Sequence, residues 1–471
     1  MNAPNWRNRT IFTGDNLEVM RGMNSASVDL IYLDPPFNSN ADYSAPIGSD
    51  AAGAAFKDTW TLSDVDEAWH GEIADRQPAV YAIIDAAGIA NGLSMKSYLI
   101  MMAVRLLEME RLLSPTGSIW LHCDPTAAHY LKMLMDAVLG AQMHRNEVIW
   151  KRTGTHNDAR HSLPDVSDTI LFYSRPDAVL NPIHVPHSDE YIEEKYRYND
   201  KDGRGPYQLT DITSPKPRPN MMYEWRGYPF PAKGWRYQRD TMQQLHDEGR
   251  IWYPTKMDGS PDYSKRPRRK SYLADSEGPL LGNVWTDIAP LNSQATERTG
   301  YPTQKPLALL ERIITACTDR GDIVLDPFCG CATTCVSADR LQRQWAGIDL
   351  SPVAAKLVLK RIRDDQGPMF SDITHRDDLP QRTDLGKAPD YRTHKHTLYG
   401  RQEGKCNGCG VLFPFRNFTV DHIIARERGG TDHYDNLQLL CGACNSLKGT
   451  GTQEELIVKL EQQGIIQRIG T

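Results

Sequence analysis

Long hydrophobic runs and a signal peptide are both lacking from this sequence. No stretch of about 18 consecutive apolar residues occurs, so no segment is typical of a membrane-spanning helix. The first residues, MNAPNWRNRT, have neither the basic head nor the apolar core of a secretory leader. These absences predict a cytoplasmic protein with no membrane partner.

An excess of basic charge is lacking as well. The chain has 54 Lys and Arg against 60 Asp and Glu, a net charge of -6, so contact with nucleic acid must come from local basic surfaces. Nine cysteines, an odd number in a chain without a leader, argue against a disulfide framework and for metal ligands or buried thiols. The length of 471 residues indicates two to three domains.

Strands and helices alternate on both sides of a loop-rich middle. The apolar segment 28–33 stops at Asp34-Pro35-Pro36, which is typical of a buried strand that ends in a rigid loop. A helix is expected at 94–113, a strand at GSIWLHCD and a helix at 127–139. The pattern resumes after Thr303–Pro306 with helix, strand, helix, strand and helix. This order predicts an α/β fold with an open, mostly parallel sheet.

Five segments are predicted from these shifts in composition. They are 1–181 with the Asp-Pro-Pro motif, an insertion at 182–287, the second half of the sheet at 288–363, a linker at 364–392 and a compact module at 393–471. The insertion holds a basic run, Arg266, Arg268, Arg269 and Lys270, between Tyr263 and Tyr272. Such residues suit phosphates and unstacked bases, although a solvated loop over a tryptophan core explains them equally well.

The segment IVLDPFCGCATTC, residues 323–335, predicts a strand, a small-residue loop and the start of a helix. A close backbone and free N–H groups at a helix end suit an adenosyl cofactor and its carboxylate. The expected cofactor-binding residues here are Asp326, Phe328, Gly330, Thr333 and Thr334, with Asp349 at the end of the next strand facing a ribose. The loop cysteines, 329, 331 and 335, fit packing better than metal binding, since no fourth ligand lies at suitable spacing.

The motif Asp34-Pro35-Pro36-Phe37 follows a strand directly, at the edge where open α/β sheets bind ligands. An aromatic amine is a poor nucleophile, so a catalyst must accept hydrogen bonds from both its N–H groups. The Asp34 carboxylate and the Pro35 carbonyl can do this, Pro36 helps to fix them, and Phe37 can stack on a flipped base. An enzyme that methylates carbon 5 of cytosine needs a cysteine after proline, and the chain has no Pro-Cys pair.

On these motifs, residues 11–363 resemble the β-class amino-methyltransferases of DNA. The resemblance implies a Rossmann-like, doubly wound fold that binds S-adenosylmethionine, with circularly permuted motif order and a target-recognition insertion. It places Asp15 near the cofactor's adenine and Lys305 in the segment before the cofactor strand. Aspartate at position 34 favours N6 of adenine over N4 of cytosine, which stays the alternative. One departure from the family is Ala332, where a second glycine is usual.

The C-terminal module carries paired CxxC motifs, Cys406 with Cys409 and Cys441 with Cys444, typical of one structural Zn²⁺. The segment between and after them resembles the HNH endonucleases, which implies a small ββα domain. By that resemblance His422 is the general base, Asn436 orients it, and Asp421 and Asn445 hold Mg²⁺ or a similar ion. Many family members have histidine at position 445, so a module that only binds DNA stays an alternative.

Together these features predict a site-specific adenine-N6 methyltransferase of double-stranded DNA with an HNH module that cuts or clamps DNA. Such a protein would lie at the nucleoid through its DNA. A further partner could be a second copy of the chain or another protein of a restriction–modification system. An RNA or protein methyltransferase is a competing hypothesis, and the HNH module argues against it.

Overall fold

The computed structural model of the chain describes residues 2–36, 42–44, 55–57, 73, 77–154, 163–292, 295–301, 303–367, 372–384 and 390–466. The chain forms two compact units. One consists of Met1–Asn181 and Asn283–Thr471, and the other is Pro182–Gly282. Within the described part, no helix is both long enough and apolar enough to cross a lipid bilayer.

A nine-stranded sheet is the centre of the first unit. In spatial order its strands are β11 (Val284–Trp285), β6 (His144–Lys151), β7 (Ser167–Ser174), β5 (Leu113–Cys123), β2 (Val28–Leu33), β12 (Ile323–Asp326), β13 (Gln344–Asp349), β1 (Thr10–Thr13) and β14 (Thr374–Arg376). Neighbouring strands are parallel, except that β7 runs antiparallel to β5 and β6. The predicted mostly parallel α/β sheet is therefore confirmed.

Seven helices accompany this sheet in the described residues. They are α1 (Asn16–Gly22), α2 (Pro78–Asn91), α3 (Leu93–Leu112), α4 (Ala128–Met135), α7 (Leu307–Cys317), α8 (Thr333–Arg340) and α9 (Pro352–Gln366). Buried residues of α1 to α4 share one hydrophobic core with β2, β5 and β12. Helix α8 packs against both α7 and α9. A π-helical turn, Asp136–Gly140, continues α4, and β3 (Asp42–Ser44) pairs with β4 (Ala55–Lys57) outside the sheet.

The permuted strand order brings distant parts of the chain together. Strand β12 lies directly between β2 and β13, with Val324 opposite Leu30 and Leu325 opposite Ile31. All six residues of β2 are buried, as expected for a parallel strand covered on both faces. The Asp-Pro-Pro motif and the cofactor-type loop therefore leave adjacent strands at the same edge.

The segment predicted as a linker contributes to the sheet. Strand β14 pairs with β1, and the residues that follow bind the N-terminal segment: the Asn5 side chain donates to the Gln381 carbonyl at 2.7 Å. The Thr383 N–H donates to Asn24 Oδ1 at 2.8 Å. This strand is short and polar, so backbone pairing alone holds it in the sheet. Backbone pairing produces no hydrophobic periodicity, and the sequence therefore did not predict the strand.

The second unit is described by itself. Its antiparallel sheet has the order β8 (Tyr207–Asp211), β10 (Arg268–Tyr272), β9 (Ile251–Trp252), and its helices are α5 (Asp189–Lys195) and α6 (Arg239–Asp247). The core contains Trp225 and Trp235 with Ile212, Met242, Leu245 and Ile251. Trp225 and Trp235 thus pack inside this unit, as one of the two interpretations expected.

The C-terminal module has its own core. It comprises α10 (Lys395–Arg401), the antiparallel hairpin of β15 (Phe418–His422) and β16 (Leu437–Cys441), α11 (Gly442–Lys448) and α12 (Gln453–Gln462). Buried Leu439, Leu440 and Leu456 lie in this core beside three of the cysteines. The hairpin followed by α11 is the expected ββα arrangement.

Replacement of Gly22 by alanine tests the contact between the linker segment and the first helix. A Cβ atom at Gly22 would lie 2.0 Å from the Pro380 carbonyl oxygen, so the backbone of one segment must move. We expect Gly22→Ala to lower the free energy of unfolding by about 1–3 kcal/mol and to increase proteolysis within 372–384. Gly442→Ala is the control, because nothing lies within 4 Å of its Cβ. Equal stability of both variants would contradict the contact.

Candidate functional site

Four aspartates lie at the carboxyl edge of four adjacent parallel strands. Asp34 follows β2, Asp326 and Asp349 end β12 and β13, and Asp15 comes two residues after β1. The strands run in the same direction, so these ends share one edge of the sheet. The structure thus gathers residues that are more than 300 positions apart in the sequence.

Asp326 fixes the start of the cofactor-type loop. Its Oδ1 accepts the Phe328 N–H at 3.0 Å and its Oδ2 contacts the Thr334 hydroxyl at 2.5 Å. Burial raises the pKa of the Asp326 carboxyl to about 7. Both oxygens of this side chain therefore bind groups within the loop and the helix that follows it.

Asp349 holds the middle of the same loop. Its Oδ2 accepts the Gly330 N–H at 2.8 Å and its Oδ1 accepts the Ser351 N–H at 2.7 Å. Burial raises the pKa of this carboxyl as well. The Tyr301 ring lies against Gly330, where an added Cβ would come within 3.0 Å of it. Asp349 keeps further lone pairs for ribose hydroxyls, the role expected of it.

Two neighbouring residues complete the loop and its helix. Ala332 adopts a left-handed conformation with φ of 54°, which glycine adopts more readily. Thr333 begins α8, and its hydroxyl accepts an N–H from Arg361 at 3.1 Å, while the same nitrogen donates to the Cys331 carbonyl at 2.8 Å. The family's usual glycine at this position is thus explained by the backbone, and Arg361 is a residue that sequence reasoning missed.

Asp15 links the first strand to the cofactor loop through neighbours. Its Oδ1 accepts the Leu17 N–H at 2.9 Å, so it caps α1, and it pairs with Arg105 at 2.9 Å. Arg105 also donates to Asn16 Oδ1 at 2.6 Å, and the Asn16 amide donates to the Pro327 carbonyl at 2.7 Å. Neither Asn16 nor Arg105 was predicted from the sequence.

Lys305 lies against Asp34. Its ammonium nitrogen is 2.6 Å from Asp34 Oδ2, and the lysine is 8% exposed. The other oxygen, Asp34 Oδ1, is buried and has no hydrogen-bond partner among the described residues. Lys305 was expected on the cofactor side, and the structure places it at the Asp-Pro-Pro motif. Pro35 is buried and Pro36 half-buried, whereas Phe37 lies outside the described residues.

A buried polar chain beside Asp34 was not predicted. The Tyr32 hydroxyl is 3.0 Å from His122 Nδ1, and His122 Nε2 is 2.9 Å from Asp168 Oδ2. The Arg152 guanidinium lies 2.8 Å from Asp168 Oδ1, an ion-pair contact without the alignment of a hydrogen bond. These residues come from four strands or strand ends, so no local motif in the sequence indicates them.

The loop cysteines, 329, 331 and 335, are buried, and burial raises the pKa of each thiol. A cluster with metal-ligand geometry is found elsewhere: Cys406, Cys409, Cys441 and Cys444 place their sulfur atoms within 4.8 Å of one another. The Cys406 sulfur accepts N–H groups of Cys441 at 3.2 Å and Gly408 at 3.4 Å. Four converging thiols with such donors fit a tetrahedral metal ion.

His422 ends β15 and contacts Asp432. Its Nε2 is 2.7 Å from Asp432 Oδ1, and Arg426 binds both oxygens of Asp432 at 2.6 Å. Asn436, predicted to orient His422, instead binds the backbone of Ile424 at 2.9 and 3.0 Å and the Thr431 carbonyl at 2.8 Å. Asn436 therefore shapes the loop, and Asp432 is the residue that touches the imidazole.

Asp421 and Asn445 lie on β15 and α11, which pack together. Asp421 Oδ2 is 3.1 Å from the Lys448 ammonium and accepts from Gln438 at 2.9 Å. Lys448 is buried and also donates to the His422 carbonyl at 2.7 Å. A carboxylate and an amide oxygen are hard donors of the kind that Mg²⁺ prefers. Here Asp421 Oδ2 is bound by Lys448 and Gln438, so an ion held by Asp421 and Asn445 stays a prediction.

Comparison with known proteins agrees with this geometry. Residues 28–360 match the family described as DNA methylase, and residues 406–451 match the family described as HNH endonuclease. The chain belongs to the DNA methylase family. Both resemblances seen in the sequence are confirmed.

Two of the relatives below are named as methyltransferases and one as a restriction-modification subunit. The Type II methyltransferase M.EcaI of Enterobacter cloacae is 32% identical over 278 residues, which are 58% of this chain and 59% of that protein. The StyLTI Mod subunit, a Type III restriction-modification enzyme of Salmonella typhimurium, is 25% identical over 361 residues, 73% of this chain and 52% of that protein. DNA adenine methyltransferase YhdJ of Escherichia coli K12 is 40% identical over 101 residues, 21% of this chain and 33% of that protein. The chain thus spans little more than half the length of the first two.

The buried carboxyl of Asp326 generates a prediction about pH. Its folded-state pKa of about 7 lies above that of an unfolded aspartate, so folding is favoured at low pH and loses stability as pH rises from about 4 to about 7. An asparagine side chain at this position resembles the protonated acid and lacks this dependence. Relative to Asp326→Asn, the wild type should lose about 1.4 kcal/mol per pH unit across that range, measured by urea unfolding. A stability difference that is flat with pH would refute it.

Proposed function

We propose that the chain is a site-specific DNA methyltransferase that transfers a methyl group from S-adenosylmethionine to N6 of adenine. One observation carries the proposal: Asp34 Oδ1 is a buried acceptor without a hydrogen-bond partner in the described residues, beside the cofactor-type loop. A buried carboxylate oxygen left in this state needs a donor, and the amino group of a flipped base supplies one.

The residues of the loop fit the cofactor. Asp349 would accept the ribose hydroxyls, and the start of α8 offers N–H groups to the carboxylate, while Gly330 and Phe328 line the loop. Bound S-adenosylmethionine supplies an electrophilic methyl group and needs no metal for its transfer.

The chain's own residues act on the amine. Lys305 holds Asp34 Oδ2 in an ion pair, which leaves Oδ1 to accept one amino N–H. The Pro35 carbonyl is the acceptor for the second N–H, and both acceptors favour the tetrahedral nitrogen on which the methyl group is received. Phe37 is proposed to stack on the flipped ring. Positioning of these groups provides much of the rate.

Adenine is favoured over cytosine by aspartate at position 34. The name of the similar YhdJ protein, a DNA adenine methyltransferase, supports this choice. The name of the StyLTI Mod subunit supports a restriction–modification setting for the chain. Methylation of cytosine N4 is the alternative that the product analysis below decides.

Contact with double-stranded DNA is proposed for exposed basic residues of Pro182–Gly282. Arg266 and Arg268 are exposed, whereas Lys270 pairs with Asp200 and Arg269 donates to the Tyr237 hydroxyl at 3.0 Å. The basic run is therefore split between residues that face solvent and residues that hold the unit together. Arg266 and Arg268 are the members of the run that we propose to grip DNA.

Hydrolysis of a phosphodiester by the C-terminal module is a second candidate function. The His422–Asp432 contact favours it, because a carboxylate on Nε2 fixes the proton there and leaves Nδ1 as the base. Asp421 and Asn445 would hold Mg²⁺, which neutralises charge on the phosphate. The competing assignment is a DNA clamp that never cuts.

The test is incubation of the purified chain with unmethylated DNA, labelled S-adenosylmethionine and Mg²⁺, followed by nucleoside analysis and a gel. We expect N6-methyladenine, a loss of at least about 100-fold in rate for Asp34→Ala, and retained methylation in His422→Ala. Nicking of the DNA that disappears in His422→Ala would support the nuclease assignment, and DNA that stays intact would support the clamp assignment. Methylcytosine or no label would overturn the proposed reaction.

Zinc in the four-cysteine site is proposed as the element that folds the C-terminal module. We expect one zinc ion per chain by metal analysis, its loss in Cys444→Ser, and faster proteolysis of residues 393–466 in that variant. Cys317→Ser, at a buried thiol outside the cluster, is the control and should retain the metal. A protein that lacks zinc yet resists proteolysis equally would rule out this role.

A further inference from the structure

The chain of Tyr32, His122 and Asp168 has no part in the proposed reaction, although it lies beside Asp34. All three residues are nearly inaccessible to solvent, with exposed fractions of 2%, 0% and 3%. They join β2, β5 and β7 through hydrogen bonds of 3.0 and 2.9 Å. Burial of so many polar groups is costly unless each is paired, so their arrangement calls for a physical reason.

The direction of these hydrogen bonds follows from the acidity of the two ends. Burial opposes ionisation of Asp168, but the hydrogen bond and the electrostatic contribution of His122, followed by the charges of Lys305 and Arg152, lower the pKa of this carboxyl. Burial, followed by the charge of Asp34, raises the pKa of the Tyr32 hydroxyl well above its usual value. An imidazole that donates from Nε2 to the Asp168 carboxylate has Nδ1 as its acceptor, and Nδ1 faces the Tyr32 hydroxyl.

Tyr32 stands two residues before Asp34 at the end of β2. Residues two apart along a strand lie on the same face, and Tyr32 and Asp34 are two apart at this edge of the sheet. Asp34 Oδ1 is a buried acceptor with no partner in the described part of the chain. A Tyr32 hydroxyl that lost His122 would therefore find its next strong acceptor in Asp34.

We propose that His122, held by Asp168, is a positioning residue for methyl transfer: its Nδ1 accepts the hydrogen bond of the Tyr32 hydroxyl and so keeps Asp34 Oδ1 open for the amino group of the target base. The proposal rests on the proposed function, because it takes Asp34 as the acceptor of the amine. Asp168 contributes by fixing the imidazole tautomer that can accept.

Four variants test it by single-turnover methylation of unmethylated DNA. His122→Leu should lower the rate by roughly 10- to 100-fold, because Tyr32 then donates to a charged carboxylate. Tyr32→Phe should stay within about threefold of wild type, and the double variant Tyr32→Phe/His122→Leu should recover to that level. His122→Gln should also remain active, since its carboxamide can accept from Tyr32 and donate to Asp168.

Stability and binding are measured alongside, so that misfolding is recognised. Tyr173→Phe is the matched control, because Tyr173 is a buried tyrosine of β7 whose hydroxyl contacts Asp136 at 2.7 Å. It should lose stability without loss of rate, and all variants should keep the wild-type Kd for S-adenosylmethionine. If His122→Leu does not fold, a Tyr32→Phe or His122→Gln rate far below that of wild type overturns the proposal.

Recovery in the double variant is the decisive outcome. A merely structural role predicts that the two substitutions add, so a double variant as slow as His122→Leu or slower overturns the proposal. So does a His122→Leu variant as fast as wild type. Failure of the proposed function is distinct, because the wild-type chain would then form no N6-methyladenine.

Discussion

Parallel pairing of β2 with β12 is the constraint on which the site depends. Each strand is buried, and each ends in a loop that regular backbone pairing cannot continue. Their shared edge places the Asp-Pro-Pro motif next to the loop around Gly330, although the two are far apart in sequence. A shift of register between these strands would separate the two loops, so the pairing that fixes the register also fixes the geometry of the site.

Around this edge, carboxylates have divided roles that the sequence alone does not distinguish. Asp326 and Asp349 bind backbone N–H groups and hold the loop, and Asp15 caps a helix. Of these four described aspartates, only Asp34 has a buried oxygen without a hydrogen-bond partner. Lys305 forms an ion pair with the other oxygen of this carboxylate, Asp34 Oδ2. Three of the carboxylates thus hold the backbone around the site, and Asp34 Oδ1 is the buried acceptor that remains.

The sequence predicted correctly the features that short stretches of sequence encode. These features are the buried strand before Asp34, the helix after the small-residue loop and the paired CxxC motifs. Hydrophobic periodicity encodes the first two, and cysteine spacing encodes the third. Asn436 was assigned to His422, yet Asp432 makes that contact, since a loop conformation decides between them. His122 and Arg105 were missed because tertiary packing alone joins them to Tyr32 and Asp15. Strand β14 was missed because a polar edge strand depends on its neighbour.

The first strand has a consequence for biosynthesis. Both neighbours of the strand Thr10–Thr13, which are Gln344–Asp349 and Thr374–Arg376, are synthesised more than 300 residues after it. This strand therefore waits with two open edges while that length of chain is made. Pairing at such sequence separation is slow, and the edges of the first strand stay unpaired until both partners have been made.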